Sequence, residues 1–280
     1  LRTQASELIA MLVPDVANPF YTGIVRAVED VARAKGYAVM LCNTDEDPAK
    51  EAEYLRAVVG EPVAGIIGVP TSTATPYRLA ATRGVPVVAI DRTPGADDRV
   101  DAVVIDGLTG AAASTRVLFE RGYRRVACIS GPAGIETADR RAEGWRQGVR
   151  EATGAEAPDE LLVRRPYTIG GGRDAAAALL ALPEPPDAIF CANNRLAVGA
   201  LRQLADAGKA PPEVGVYSFG ELPLITWRPD GIFVAHMPMR EMGTLAAQML
   251  LERIGGLDTP ARRVTLAPHV ETEPGDLSFE

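Results

Sequence analysis

The sequence predicts an α/β fold built on two mostly parallel sheets, and three observations carry the prediction. Short apolar runs alternate with amphipathic helical stretches almost from end to end of the 280 residues. The runs are rich in Val, Ile and Ala and show little polar alternation, as strands covered on both faces do. There are ten of them, which suits two sheets of about five or six strands better than one.

Taken in order, LIAMLV (Leu8–Val13) is the first strand and VPDVANPFYTG (Val13–Gly23) leads out of it. Asn18 suits a helix cap and Pro19 the first helical turn. Ile24, Val25, Val28, Val31 and Ala32 then share one helical face, which stops at Gly36. YAVMLC (Tyr37–Cys42) precedes a helix near 48–60, and AGIIGV (Ala64–Val69) one near 76–83. VPVVAI (Val85–Ile90) and DAVVI (Asp101–Ile105) follow, and a seam lies near VIDGLTG (Val104–Gly110), where a new series begins. That series runs helix 107–122, RVACIS (Arg125–Ser130), helix 138–153, LLVRR (Leu161–Arg165) and helix 172–182. It continues with AIFCA (Ala188–Ala192), helix 194–208, VGVYSF (Val214–Phe219), IFVAH (Ile232–His236) and helix 239–254. LPEPPDA and GKAPPEVG read as short helix-to-strand connections.

With 47% hydrophobic and 24% charged residues, the chain has the make-up of an ordered globular protein. A net charge of −8 is the wrong sign for a chain that binds phosphate backbones unaided. The arginines at 121, 124 and 125 read as a solvated helix end. Cys42, Cys128 and Cys191 each lie within an apolar run and read as buried free thiols, which fits a reducing compartment. No apolar stretch reaches the roughly 18 residues of a membrane span, and no signal peptide precedes Leu8.

Ligands of α/β sheets gather at the carboxyl ends of the strands. There the sequence places Asp15, Asp91 with Arg92, Asn193 with Asn194, and Gly220 with Glu221. Each of these residue types also caps helices or turns; four strand ends together favour a convergent binding pocket. GGGRDA (Gly170–Ala175) fits the dinucleotide pattern, but the strand before it is poor and the acidic residue expected later is missing; the glycines read as a flexible helix entry. No phosphate-loop or nucleophile-elbow motif is present, and His236 and His269 lack metal-ligand spacing. The pattern favours binding over turnover, with no catalytic set, metal or cofactor.

Several stretches together resemble the effector-binding portion of the LacI/GalR family of bacterial transcription regulators. They include the segment from Leu8 through ANPFYTG and NTDEDP to Leu55, VAGIIGVP, PVVAIDR, VIDGLTGAAAST, LFERGYRRVACISGP, RRAEGW, DAIFCANNRLAVGAL and PMREMGTLAAQMLLERI. The likeness covers about residues 5–270. It implies a periplasmic-binding-protein-like fold of type I, with two doubly wound subdomains joined by three crossovers. Residues 1–107 and 238–266 would form one subdomain, and 108–237 and 267–280 the other. The family's helix-turn-helix is not in this sequence. The chain by itself is thus expected to bind effector and to homodimerise in the cytoplasm, without operator affinity of its own.

The resemblance also assigns residues. Asn18, Phe20 and Tyr21 match the turn whose aromatics stack on ligand, and Asp91 and Arg92 the pair that hydrogen-bonds its hydroxyls. Arg141 matches an arginine reaching from the second subdomain, Phe190 and Asn193 an aromatic and an amide, and His236 a polar position on a crossover. The chain departs from the family at Gly220, where an Asp is usual, at Asn194, and near Glu273–Asp276. Either Glu221 partly substitutes for that Asp or the ligand is not a simple sugar. The implied mechanism is a population shift toward a closed state when a small polar effector binds in the cleft between subdomains. The alternative from the same fold is an extracytoplasmic solute-binding protein for a transporter.

Overall fold

The computed structural model describes residues 6–71, 77–93, 100–222 and 228–273. In chain order its strands are β1 (Leu8–Val13), β2 (Ala38–Asn43), β3 (Gly65–Gly68), β4 (Val87–Ile90), β5 (Asp101–Ile105) and β6 (Val126–Ser130). They continue as β7 (Leu162–Arg164), β8 (Ala188–Cys191), β9 (Gly215–Phe219), β10 (Ile232–His236), β11 (Arg263–Leu266) and β12 (His269–Val270). The helices are α1 (Pro19–Ala34), α2 (Pro48–Gly60), α3 (Tyr77–Thr82), α4 (Gly107–Glu120), α5 (Glu136–Thr153), α6 (Ile169–Leu180), α7 (Asn194–Asp206) and α8 (Met239–Ile254). Each apolar run of the sequence forms a strand. The two strands without such a run, β11 and β12, are the ones the pattern misses.

The chain divides into two compact units. Unit 1 runs to Ile105 and regains Pro238–Leu266; unit 2 takes Asp106–Met237 and the residues from Ala267 on. Unit 1 holds a six-stranded sheet in the order β11-β5-β4-β3-β1-β2, parallel throughout. Unit 2 repeats the plan as β12-β10-β9-β8-β6-β7, parallel except for β12, which pairs antiparallel with β10. Strand order reverses between β1 and β3 in the first sheet and between β6 and β8 in the second. Such a reversal splays the loops that follow the two strands, so a doubly wound sheet offers its ligand crevice there.

Local chemistry explains the elements. Asn18 caps α1 by accepting the Phe20 N–H, and Asp47 caps α2 by accepting that of Ala49. Ile9, Met11 and Val13 of β1 lie fully buried against Ile24 and Val28 of α1 and Met242 and Leu250 of α8; each such side chain contributes about 1.5–3 kcal/mol by burial. β11 pairs with β5, packs Val264 and Leu266 against the core, and has a charged anchor at its start. The buried carboxylate of Asp101 in β5 accepts from Arg253 of α8 at 2.8 Å and 3.0 Å and from the Arg262 backbone N–H at 2.7 Å.

Unit 2 builds its helix pairs on glycine. A Cβ on Gly172 would stand 2.1 Å from the Leu196 carbonyl oxygen, and one on Gly199 2.1 Å from that of Ile169. The glycines of GGGRDA therefore do not form a flexible entry. One of them, Gly172, together with Gly199 of α7 lets the two helix backbones touch, while Thr168 caps the helix by accepting the Gly171 N–H. This cap starts α6 at Ile169, ahead of the expected 172. Cys42, Cys128 and Cys191 are buried and free, and burial pushes each thiol above its ordinary pKa, which makes them poor nucleophiles.

Candidate functional site

In unit 1 the candidate residues collect where β1, β2, β3 and β4 end. Phe20 is half-buried and meets the Tyr21 ring edge-on, centroids 4.9 Å apart. Tyr21 belongs to the core rather than to an open stacking surface, and its hydroxyl donates to Asp91 Oδ2 at 3.2 Å. Of the two rings expected to stack on ligand, Phe20 keeps an exposed portion, whereas Tyr21 is buried with its hydroxyl on Asp91. The Asn18 oxygen is engaged in the helix cap.

Asp91 follows β4 with φ 63°, and Asp45 and Glu46 follow β2 with φ 56° and 58°. Among the described residues these are the non-glycine positions with left-handed backbone. Each such residue costs about 1–2 kcal/mol, and backbone strain of this kind collects at functional sites. Arg92 is almost fully buried. Its Nη1 and Nη2 donate to Glu46 Oε2 and Oε1, each at 2.7 Å, and Nη1 also reaches the Pro70 carbonyl at 3.3 Å. In the structure Glu46 thus holds the donor fork that the sequence reading assigns to ligand hydroxyls. Burial works against the Arg92 charge, but hydrogen bonding to Glu46 and the neighbouring acidic groups outweigh it and hold its pKa well above the ordinary value.

Beneath this surface Glu51 is fully buried and accepts the Thr71 N–H at 3.0 Å and the Thr71 hydroxyl at 2.7 Å. Burial raises its carboxyl above the usual range. Glu46 and Glu51 are the residues that sequence reasoning missed. Both lie in or beside NTDEDP, whose acidic density was the available signal.

In unit 2 the candidates stand at the ends of β6, β8, β9 and β10. Arg141, reaching from α5, donates from Nη1 to the Ala192 carbonyl at 2.8 Å and lies 4.6 Å over the Phe219 ring. Those two contacts fix its planar head at the ends of β8 and β9. Phe190 is fully buried and packs edge-on against Phe219, centroids 6.0 Å apart. It supports the ring beneath Arg141, and its own ring, expected at the ligand, is fully covered. Tyr167, which sequence reasoning passed over, is half-buried beyond β7, its ring against Gly131 at the end of β6, where a Cβ would stand 2.4 Å away. Asn193 caps α7, its oxygen accepting from Arg195 N at 2.7 Å and Leu196 N at 3.3 Å. Asn194 donates from Nδ2 to the Glu221 carbonyl at 3.2 Å.

Glu221 and His236 belong to one charged cluster. Glu221 Oε1 accepts the Met237 N–H at 2.9 Å and stands 3.7 Å from His236 Nδ1. On the other side of the ring, Nε2 is 2.7 Å from Oε1 of Glu271, a fully buried carboxylate also bonded by Arg228 and by Val234 N. Glu221 and Glu271 together push the His236 pKa up to about 9. Burial works to raise the Glu271 carboxyl, yet the hydrogen bonds from His236 and Arg228 outweigh it and hold it below its ordinary value. Glu221 therefore anchors the end of β10. Gly220 beside it has φ 116°, a conformation open to glycine and strained for any L side chain. The departure noted near Glu273–Asp276 falls, from residue 274 on, outside the described residues.

Among the described residues no group of three or more His, Cys, Asp or Glu is arranged to hold a metal ion. No helix among them is long and apolar enough to cross a membrane. A groove of about 970 Å³ opens between α1 and α8 of unit 1, bordered by Asp30, Lys35, Arg240 and Glu252. It contains none of the candidate residues.

The family model describing periplasmic binding proteins and the sugar-binding domain of the LacI family matches residues 6–277. The ribose operon repressor of Escherichia coli (strain K12) is 32% identical over 271 residues, spanning 96% of this chain and 82% of that protein. The HTH-type transcriptional repressor CytR of the same strain is 26% identical over 257 residues, 91% of this chain and 75% of the relative. A solved complex of the transcriptional regulator CelR with cellobiose superimposes with a TM-score of 0.86 at 25% identity, covering 96% of this chain and 84% of the other.

Proposed function

Because this chain belongs to the family of periplasmic binding proteins and sugar-binding domains of LacI-type regulators, we propose that it is the effector-binding domain of a transcription regulator and takes a small, hydroxyl-rich ligand of the sugar class at its strand ends. One observation supports this most directly. Asp91 is an almost fully buried carboxylate on strained backbone, oriented by the Tyr21 hydroxyl and neighboured by the half-buried ring of Phe20. A carboxylate accepts hydrogen bonds from adjacent hydroxyls, and an aromatic ring covers the apolar face of a sugar. In unit 2, Arg141, fixed over Phe219, supplies donors, and Tyr167 a second aromatic.

The relatives at 32% and 26% identity are repressors, which favours regulation over transport and binding over catalysis. In this reading the effector binds one conformation of the domain better than another, and DNA affinity follows that equilibrium. The working form is a homodimer in the cytoplasm, for which light scattering should give twice the 29.7 kDa of one chain.

Calorimetric titration with neutral pentoses, hexoses and disaccharides tests the ligand class. At least one should bind, and Asp91→Asn should weaken it about 10–100-fold through loss of a charge-assisted hydrogen bond. A panel in which no sugar binds, or in which Asp91→Asn leaves the affinity untouched, rejects the reading.

A further inference from the structure

The wall of unit 1 carries an arginine whose charge is already matched. Both terminal nitrogens of Arg92 face the Glu46 carboxylate at 2.7 Å, in the parallel geometry of a two-bond guanidinium–carboxylate pair. The arginine is 4% exposed, and its Nε faces Asp91 Oδ2 at 3.8 Å. One cation thus stands against two carboxylates, and the local field is that of an acceptor. The left-handed turn at Asp45 and Glu46 delivers the Glu46 side chain to this position. Asn43 and Lys50 both hold the Asp45 carboxylate, which fixes the turn from two sides.

An arginine with an open fork receives phosphate and carboxylate groups readily. With the fork closed, the same residue presents no net positive charge to a ligand, while Asp91 attracts hydroxyl donors and repels anions. We propose that Glu46 is a specificity-determining residue: by closing the Arg92 fork it makes unit 1 accept a neutral, hydroxyl-bearing effector and reject its phosphorylated or carboxylated counterpart. The ligand's location rests on the effector reading above; the charge of the wall does not.

The test titrates inorganic phosphate, D-ribose and D-ribose 5-phosphate into the chain and into Glu46→Gln. The unaltered chain should show no phosphate binding and should prefer ribose over its phosphate by at least about 10-fold. Glu46→Gln should gain phosphate binding and move the ribose-to-ribose-phosphate ratio about 10–100-fold toward the anion. Adding Arg92→Gln to that variant should abolish the gain, which ties the effect to the freed guanidinium. An unaltered chain that binds the phosphate ester as well as ribose overturns the proposal, and this arm holds even where Glu46→Gln does not fold. So does a folded Glu46→Gln with unchanged phosphate affinity. If no sugar binds the unaltered chain but Glu46→Gln gains phosphate, the sugar reading fails and the role of Glu46 stands.

Discussion

His236 Nε2 lies 2.7 Å from Glu271 Oε1, joining the last residue of β10 to the residue that follows β12. The pair makes unit 2 sensitive to pH in a defined direction. With Glu221 and Glu271 raising the imidazole to about 9, against about 6.5 in an unfolded chain, the protonated form stabilises the fold. That contribution is fully present below about pH 6.5 and is lost as pH rises through about 9, an effect of about 1–3 kcal/mol. Glu271, held below its ordinary value, contributes in the opposite sense: its share is present above about pH 4.3 and fades as pH falls. Urea unfolding from pH 6 to 9.5 should show a steeper loss in the unaltered chain than in His236→Gln. Parallel curves for the two proteins would contradict the assignment.

The contact of α6 with α7 is a second test. A methyl group on Gly172 has nowhere to go but into the Leu196 carbonyl, and backbone yields less readily than a side chain. Gly172→Ala should destabilise the chain by about 2–4 kcal/mol in chemical denaturation, more than ordinary overpacking. Gly170→Ala, where the nearest atom is 3.9 Å away, serves as the control and should be close to neutral. Equal behaviour of the two variants would show that the helices do not touch as described.

Restoring the family's acidic residue at position 220 should not restore a sugar contact. With φ at 116°, an aspartate there holds backbone that L residues avoid, at about 1–3 kcal/mol. Gly220→Asp is therefore expected to lower the melting temperature without improving monosaccharide affinity. A tenfold rise in affinity at unchanged stability would mean that the loop is not built around glycine.

The strands were legible because runs such as GIIG and VVAI are buried on both faces, so their apolar character does not depend on register. β11 was not, because its residues alternate between exposed and half-buried, so it carries no continuous apolar run, and Asp101 anchors its start. The same property that reveals a doubly covered strand hides which way each side chain points; hence Phe190 could be placed on β8 but not recognised as core. Asp91, Arg92 and Arg141 stood out as polar residues beside apolar runs. The hold of Glu46 on Arg92 spans 46 positions and follows from a left-handed turn that no periodicity announces. Tyr21 was found as an aromatic, but that its hydroxyl bonds Asp91 is a detail that only side-chain geometry shows.

Neither sheet is contiguous in the chain: the first ends with β11 and the second with β12, only a few residues later. A chain emerging from the ribosome can assemble β1 through β5 early, but α8, which covers them, and β11 arrive only after nearly all of unit 2 has been made. Unit 2 in turn lacks Glu271, and so the partner of Arg228 and His236, until the segment after β12 has been made. The two units therefore finish folding almost together, once β11 and β12 have been made. A ribosome that stalls before β11 would leave both of them open to proteolysis.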